Sequence, residues 1–140
     1  ILAKYDLSRG LAKTFSTPFM GNNSIEGLWH TGVLLENEEY FYGNGIQHIE
    51  HSQFIKGQND LFPVETYDYG ECTRSMDEIN KYLESIAEDF NNLKYNLIKN
   101  NCNHFSNNFC KFLVNKEIPI NILNQPLKTI LLKAYEICII

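Results

Sequence analysis

Arginine is nearly absent from this chain, and the features that the sequence lacks exclude several classes of protein. Lysine and arginine together number 12 of 140 residues against 17 acidic residues, and the formal net charge is −5. These basic residues form no cluster, and because phosphate neutralisation needs concentrated positive charge, we expect no nucleic-acid partner. The longest apolar run, residues 137–140, is far too short to cross a bilayer, so we expect no membrane span.

Metal-binding cysteine pairs are also missing. The sequence contains no Cys-x-x-Cys pair, which argues against a structural zinc site, and we expect neither a metal nor a cofactor. Two cysteines eight residues apart on one predicted helix would lie about 12 Å apart along its axis, too far for a disulfide. No secretory signal begins the chain, so we expect a reducing compartment, the cytoplasm, with the nucleus as a second location. The four cysteines are Cys72, Cys102, Cys110 and Cys138.

What is present indicates one α+β domain over residues 1–140, with the tail at 127–140 the least defined part. Strands come first and helices follow, an order that favours an antiparallel sheet packed against helices. Asn44-Gly45 predicts a type I′ hairpin turn, and Ser75-Met76-Asp77-Glu78 predicts a helix start with a capping box. The predicted strands are 1–7, 28–36, 39–42, 46–51 and 64–72; the predicted helices are 8–15, 76–90, 101–114 and 127–137; residues 52–62 are predicted to be a polar loop.

One cysteine lies where a helix is predicted to begin. The sequence Asn101-Cys102-Asn103-His104-Phe105 places Cys102 near free backbone N–H groups and the positive end of the helix dipole, which together favour a thiolate. His104 lies about 200° around the helix from Cys102, so we do not expect the two to pair. Two other interpretations remain open: Cys102 is a core residue of an apolar stripe, and the asparagines are simply helix caps.

A histidine far upstream is the candidate partner. His30 begins a predicted strand, in Gly27-Leu28-Trp29-His30-Thr31, and strand ends beside a helix start are natural places to assemble a site. The alternative is a structural histidine in a sheet. A metal site beginning at Cys102 and His104 is disfavoured because no second ligand pair has suitable spacing.

Five sequence fragments in order resemble the PPPDE family of peptidases, and within it the desumoylating isopeptidases. The resemblance runs from residue 1 to about residue 126 and implies a permuted papain-like fold, in which the catalytic histidine, His30, precedes the nucleophile, Cys102. It carries over no third catalytic residue. It also implies removal of SUMO or ubiquitin from lysine side chains, cleavage of S-acyl groups in some members, and homodimerisation. The fragments are residues 5–12, 25–31, 42–46, 100–107 and 116–119.

We therefore expect a cysteine isopeptidase that hydrolyses glycyl-lysine bonds of SUMO- or ubiquitin-conjugated proteins through an acyl-enzyme. Asn101 and Asn103 would support the helix start and the oxyanion, and Trp29 and Gly27 would border the substrate groove. Two alternatives use the same residues differently: a palmitoyl thioesterase, which needs an apolar tunnel, and a non-catalytic adaptor that binds ubiquitin-like proteins.

Overall fold

The computed structural model describes residues 1–14 and 26–125. Five antiparallel strands form one sheet in the order β4-β3-β2-β1-β5. Segregated strands and helices confirm the α+β class. The strands are β1 Leu2–Asp6, β2 Trp29–Leu35, β3 Glu38–Gly43, β4 Gly45–Glu50 and β5 Glu65–Tyr67; the helices are α1 His51–Gly57, α2 Met76–Ile86, α3 Cys102–Val114 and α4 Ile120–Leu123. Residues 11–14 are also helical.

The sheet buries apolar side chains on both faces, because successive residues of a strand point to opposite sides. On one face, α2 and α3 cover the larger core, which includes Val33, Tyr40, Phe105 and Phe109. On the other face, α1 and the chain after it cover a smaller core made of Ala3, Tyr5, Phe54 and Leu61. The sheet is thus covered on both faces, and α3 lies on the face with the larger core.

The two strongest helix predictions are confirmed. The Ser75 hydroxyl accepts the Glu78 N–H at 3.2 Å and starts α2. Ring stacking joins α2 to α3, since the rings of Tyr82 and Phe112 are parallel with centroids 4.0 Å apart. The predicted stripe of Phe105 and Phe109 faces the sheet and is fully buried.

Three local predictions are wrong. Residues 52–62 contain a helix, α1, which a single buried apolar residue, Phe54, anchors to the sheet. Such a lone contact leaves no apolar repeat in the sequence. The strand predicted over 64–72 is only three residues long. At the hairpin, Gly45 has φ +83° but Asn44 does not share a positive φ, so the turn is not type I′. The helix predicted at 127–137 lies outside the described residues.

Candidate active site

The start of α3 is fixed by its cap. The Asn101 side chain accepts the backbone N–H groups of Asn103 at 2.9 Å and His104 at 3.2 Å. In return, the Asn101 N–H donates to Nδ1 of His104 at 3.1 Å. This reciprocal capping box makes Cys102 the first residue of the helix. His104 is part of the cap through its Nδ1, a role that the sequence analysis did not predict.

β2 and β3 stop pairing where the start of α3 packs against them, and we call the gap between these two strands the split. Pairing between β2 and β3 stops at Val33 and Tyr40, although β2 continues back to Trp29 and β3 continues on to Gly43. The Leu34 N–H donates to the Ile1 carbonyl, just before β1, so the alternate residues of β2 turn their backbone groups toward β3. Beyond Val33 these groups have no ladder partner in β3.

The first turns of α3 occupy the split and supply the missing bonds. Asn103 Nδ2 donates to the Trp29 carbonyl at 3.1 Å, and Ser106 Oγ donates to the Thr31 carbonyl at 3.3 Å. The Thr31 hydroxyl donates to Asn103 Oδ1 at 2.8 Å. Since Trp29 and Thr31 flank His30, these bonds hold the backbone of His30 beside the N-terminal turn that begins with Cys102.

Cys102 is a buried free thiol, with 6% of the residue exposed. Burial raises the pKa of its thiol. Hydrogen bonds from the Thr31 N–H, the Tyr95 hydroxyl and the N–H groups of the helix start work in the opposite direction. The expected helix-start thiolate is therefore a protonated thiol in this structure, because the loss of hydration outweighs the favourable dipole and donors.

Tyr95 is a site residue that the sequence analysis missed. Its hydroxyl lies beside the thiol and the backbone N–H of Cys102; burial first, and then the Cys102 thiol, raise the pKa of Tyr95 to about 12, while the N–H lowers it. Its ring packs against Tyr42 with centroids 5.0 Å apart. Mutual N–H···O bonds of 3.0 Å between Asn96 and Asn100 brace the loop that carries it. Only the fold brings this loop over the helix start, so no sequence motif marks Tyr95.

The His30 ring leaves β2 on the face opposite α3. It lies among aromatic rings, with centroid distances of 5.9 Å to Tyr5, 6.1 Å to Phe41 and 6.1 Å to Phe54. Burial lowers the pKa of His30 to about 4, so the imidazole is neutral at pH 7. Its Nε2 is buried and has no hydrogen-bond partner within residues 1–14 and 26–125. The structure thus places the Cys102 thiol beside the backbone that follows His30, while the His30 ring packs among the aromatic side chains of the smaller core.

The two groove candidates pack together beside this site. Nζ of Lys4 lies 4.4 Å from the centroid of the Trp29 ring, and a Cβ added to Gly27 would overlap that ring. Gln125 Nε2 donates to the Gly27 carbonyl at 2.9 Å. Close contact explains the glycine; the groove role of both residues stays a prediction.

Within the described residues, no group of three or more His, Cys, Asp or Glu side chains could hold a metal ion. Among the same residues, no helix has the length and apolar character needed to cross a membrane. A cavity of about 710 Å³ lies toward the C-terminal end of α3, where Cys110 and Val114 line it.

The family model described as "PPPDE putative peptidase domain" matches residues 1–139, so the chain belongs to the PPPDE peptidase family. Among individual relatives, desumoylating isopeptidase 1 of Homo sapiens and that of Rattus norvegicus are each 36% identical over 124 residues, which cover 87% of this chain and 71% of the relative. The Xenopus laevis protein of the same name is also 36% identical, covering 70% of its length.

Proposed function

We propose that this protein is a cysteine isopeptidase that removes SUMO from lysine side chains, with Cys102 as nucleophile and His30 as general base. The observation that carries the proposal is the insertion of α3 into the split sheet, which fixes Cys102 at a helix start beside the backbone of His30. The desumoylating names of the relatives support SUMO as the modifier. Ubiquitin is the second modifier to test.

The protonation states argue for general-base activation instead of a preformed ion pair. Burial holds the Cys102 thiol protonated and the His30 imidazole neutral. The thiol proton therefore moves to His30 as sulfur attacks the glycyl carbonyl carbon, and the imidazolium then gives this proton to the departing lysine amine. The isopeptide C–N bond breaks and an acyl-cysteine remains. Water, deprotonated by His30, hydrolyses the acyl-cysteine and regenerates the thiol.

The start of α3 would stabilise the oxyanion of this reaction. The backbone N–H of Cys102 belongs to the first helical turn, whose amides have no intrahelical partner. One donor of this kind is worth about 3–4 kcal/mol in the transition state. Asn101 and Asn103 act indirectly, since their side chains fix the helix start and its place on β2. Trp29 and Gly27 would border a slot for the thin Gly-Gly tail of the modifier.

Substrate binding has to open the site. The Tyr95 hydroxyl lies beside both the N–H and the thiol of Cys102, where the substrate carbonyl has to bind. Tyr95 is 39% exposed, so its side chain has solvent to move into. A shift of Tyr95 would uncover the sulfur and free the oxyanion donor together.

The first prediction concerns the two reacting side chains. Cys102→Ala and His30→Ala should each lower turnover of a SUMO-conjugated protein at least about 1,000-fold, because each removes an essential partner of one proton-transfer unit. Cys72→Ser and His48→Ala are matched controls on a half-buried cysteine and an exposed histidine, and both should retain wild-type turnover. Circular dichroism checks that every variant folds.

Substrate panels separate the alternatives. Parallel assays use a SUMO conjugate, a ubiquitin conjugate and a palmitoyl-thioester probe, and preferred cleavage of the SUMO conjugate is the expected result. Preferred cleavage of the thioester would replace the isopeptidase proposal with a thioesterase. Turnover within tenfold of wild type in Cys102→Ala would remove Cys102 from the chemistry. No turnover by folded wild-type protein, together with binding of a ubiquitin-like protein, would favour an adaptor.

The oligomeric state is a separate proposal. We propose a homodimer on the family resemblance alone, and gel filtration coupled to light scattering tests it.

A further inference from the structure

A fully buried carboxylate lies on the face of the sheet that holds the His30 ring. Glu39 of β3 has no exposed surface, and it pairs with Leu34 of β2. Its side chain fills the space above Gly32, where an added Cβ would lie 2.8 Å from both Cγ and Cδ of Glu39. A side chain at position 32 would close this space, so the glycine admits the carboxylate.

Only one oxygen of this carboxylate is used. Oε2 accepts the Tyr5 hydroxyl at 2.9 Å and lies 2.9 Å from Nδ1 of His51. Oε1 is buried and has no hydrogen-bond partner in the described part of the chain. An unpaired buried carboxylate oxygen is costly, so a free Oε1 beside a doubly bonded Oε2 calls for an explanation.

The other buried polar atom left without a partner is Nε2 of His30, across the same described residues. Both groups contact Tyr5, whose ring lies 5.9 Å from that of His30 and whose hydroxyl bonds Glu39. His30 and Gly32 share one face of β2 and are about 6.6 Å apart along the strand. Since Glu39 fills the space above Gly32, an unused acceptor and an unused imidazole nitrogen lie on the same face of the sheet, with no hydrogen bond joining them in this structure.

We propose that Glu39 is the positioning residue of the catalytic histidine: the two atoms are not bonded in this structure, and a shift of either side chain lets Oε1 of Glu39 accept the Nε2–H of His30. The inference rests on the proposed function, because it assigns a partner to the general base. With its proton held on Nε2, His30 presents Nδ1 as the free base for the thiol proton of Cys102. The carboxylate also stabilises the imidazolium that forms, since opposite charges attract strongly at a site that excludes water. Tyr5 and His51 hold Glu39 in place through Oε2.

A purely structural role is the competing explanation, in which Glu39 only joins β3 to β1 and α1 through Tyr5 and His51. The two roles differ in what they require of Oε1. A structural tie needs Oε2 alone and leaves the tautomer of His30 unconstrained. A positioning residue fixes the proton on Nε2 and affects the chemical step more than substrate binding.

The test is Glu39→Gln, with Glu38→Gln as the matched control. Glu38 is the neighbouring glutamate, its side chain is 46% exposed and its partner is His48 on the sheet edge. In Glu39→Gln the amide oxygen is kept toward the Tyr5 hydroxyl, so the NH₂ group faces His30 and cannot accept the Nε2–H. We expect kcat for the SUMO conjugate to fall about 10- to 100-fold, KM to stay within twofold, and Glu38→Gln to match wild type.

A spectroscopic measurement keeps the test independent of how the variant folds. In the wild-type protein labelled with ¹⁵N-histidine, the ring nitrogen shifts at pH 7 should show His30 protonated on Nε2. A proton on Nδ1 in wild type would overturn the proposal, as would a folded Glu39→Gln protein with kcat within twofold of wild type. These failures are distinct from failure of the proposed function, which shows as turnover surviving in His30→Ala or Cys102→Ala.

Discussion

At the scale of the single residue, Cys102 shows that a helix start does not by itself create a reactive thiolate. The dipole and the N–H donors lower the thiol pKa, but burial raises it by more. The pKa of the thiol therefore depends on how much water reaches the sulfur, and a substrate that moves Tyr95 would change this pKa. The same scale applies to Gly32, where one missing methyl group leaves room for a buried carboxylate.

Gly32→Ala should destabilise the protein by roughly 1–3 kcal/mol, the usual cost of overpacking a core. The new Cβ meets Glu39 atoms that Tyr5 and His51 hold in place. Gly43→Ala is the matched control, because a Cβ there meets nothing within 4 Å. Urea denaturation measures both variants, and equal unfolding free energies for the two would contradict the packing described around Glu39.

At the scale of the element, α3 replaces part of a strand, because it donates hydrogen bonds to β2 that β3 does not supply. Its side chains at Asn103 and Ser106 bind the carbonyls of Trp29 and Thr31 that β3 leaves unpaired. A helix that completes a split sheet in this way has its first residue fixed against β2 from two directions, by the cap and by these bonds. Cys102 is that first residue.

Asn103→Ala should lower the unfolding free energy by about 2–3 kcal/mol, because it removes the hydrogen bonds of this side chain with Thr31, Cys102 and Trp29 and leaves the Trp29 carbonyl unpaired. Activity should fall as well, since the start of α3 loses its register on β2. Asn108→Ala, on the exposed side of the same helix, is the control and should change stability by less than about 0.5 kcal/mol. Chemical denaturation and the SUMO-conjugate assay measure the two effects; a stable and fully active Asn103→Ala protein would refute this role.

At the scale of the whole molecule, the site depends on both cores. Cys102 belongs to the α3 side of the sheet and His30 to the aromatic cluster under α1. Neither core alone contains both of the proposed reacting side chains. The reaction therefore requires helices packed on both faces of the sheet, together with the gap between β2 and β3. Protonation of the buried histidine should therefore affect global stability.

Burial lowers the pKa of His30 from its ordinary 6.5 to about 4, so the folded protein binds this proton less tightly than the unfolded chain. The resulting stability is present above pH 6.5 and is lost as the pH falls through 4. The unfolding free energy of wild type relative to that of His30→Gln should therefore fall by roughly 3 kcal/mol from pH 7 to pH 4.

Chemical denaturation at a series of pH values measures this difference. A constant difference for His30→Gln over the same range would show that the histidine does not titrate as a buried group.

Local chemistry made several features predictable from the sequence. Ser75 and Asn101 cap helices because their side chains reach backbone N–H groups within three residues. The apolar repeat of α3 set its buried face, and the order of elements set the α+β class. The family motifs, spread over most of the chain, pointed to membership that the family match confirms.

By itself, therefore, the sequence determined the helix starts, the sheet class, the family and the two candidate residues, because each depends on near neighbours or on motifs. Only the tertiary structure decided how the site is built: the split between β2 and β3, the contact of Tyr95 with Cys102, the buried Glu39 and the neutral thiol and imidazole. Those features depend on which distant segments pack together and exclude water. Such packing between distant segments produces no repeating pattern of apolar residues in the sequence.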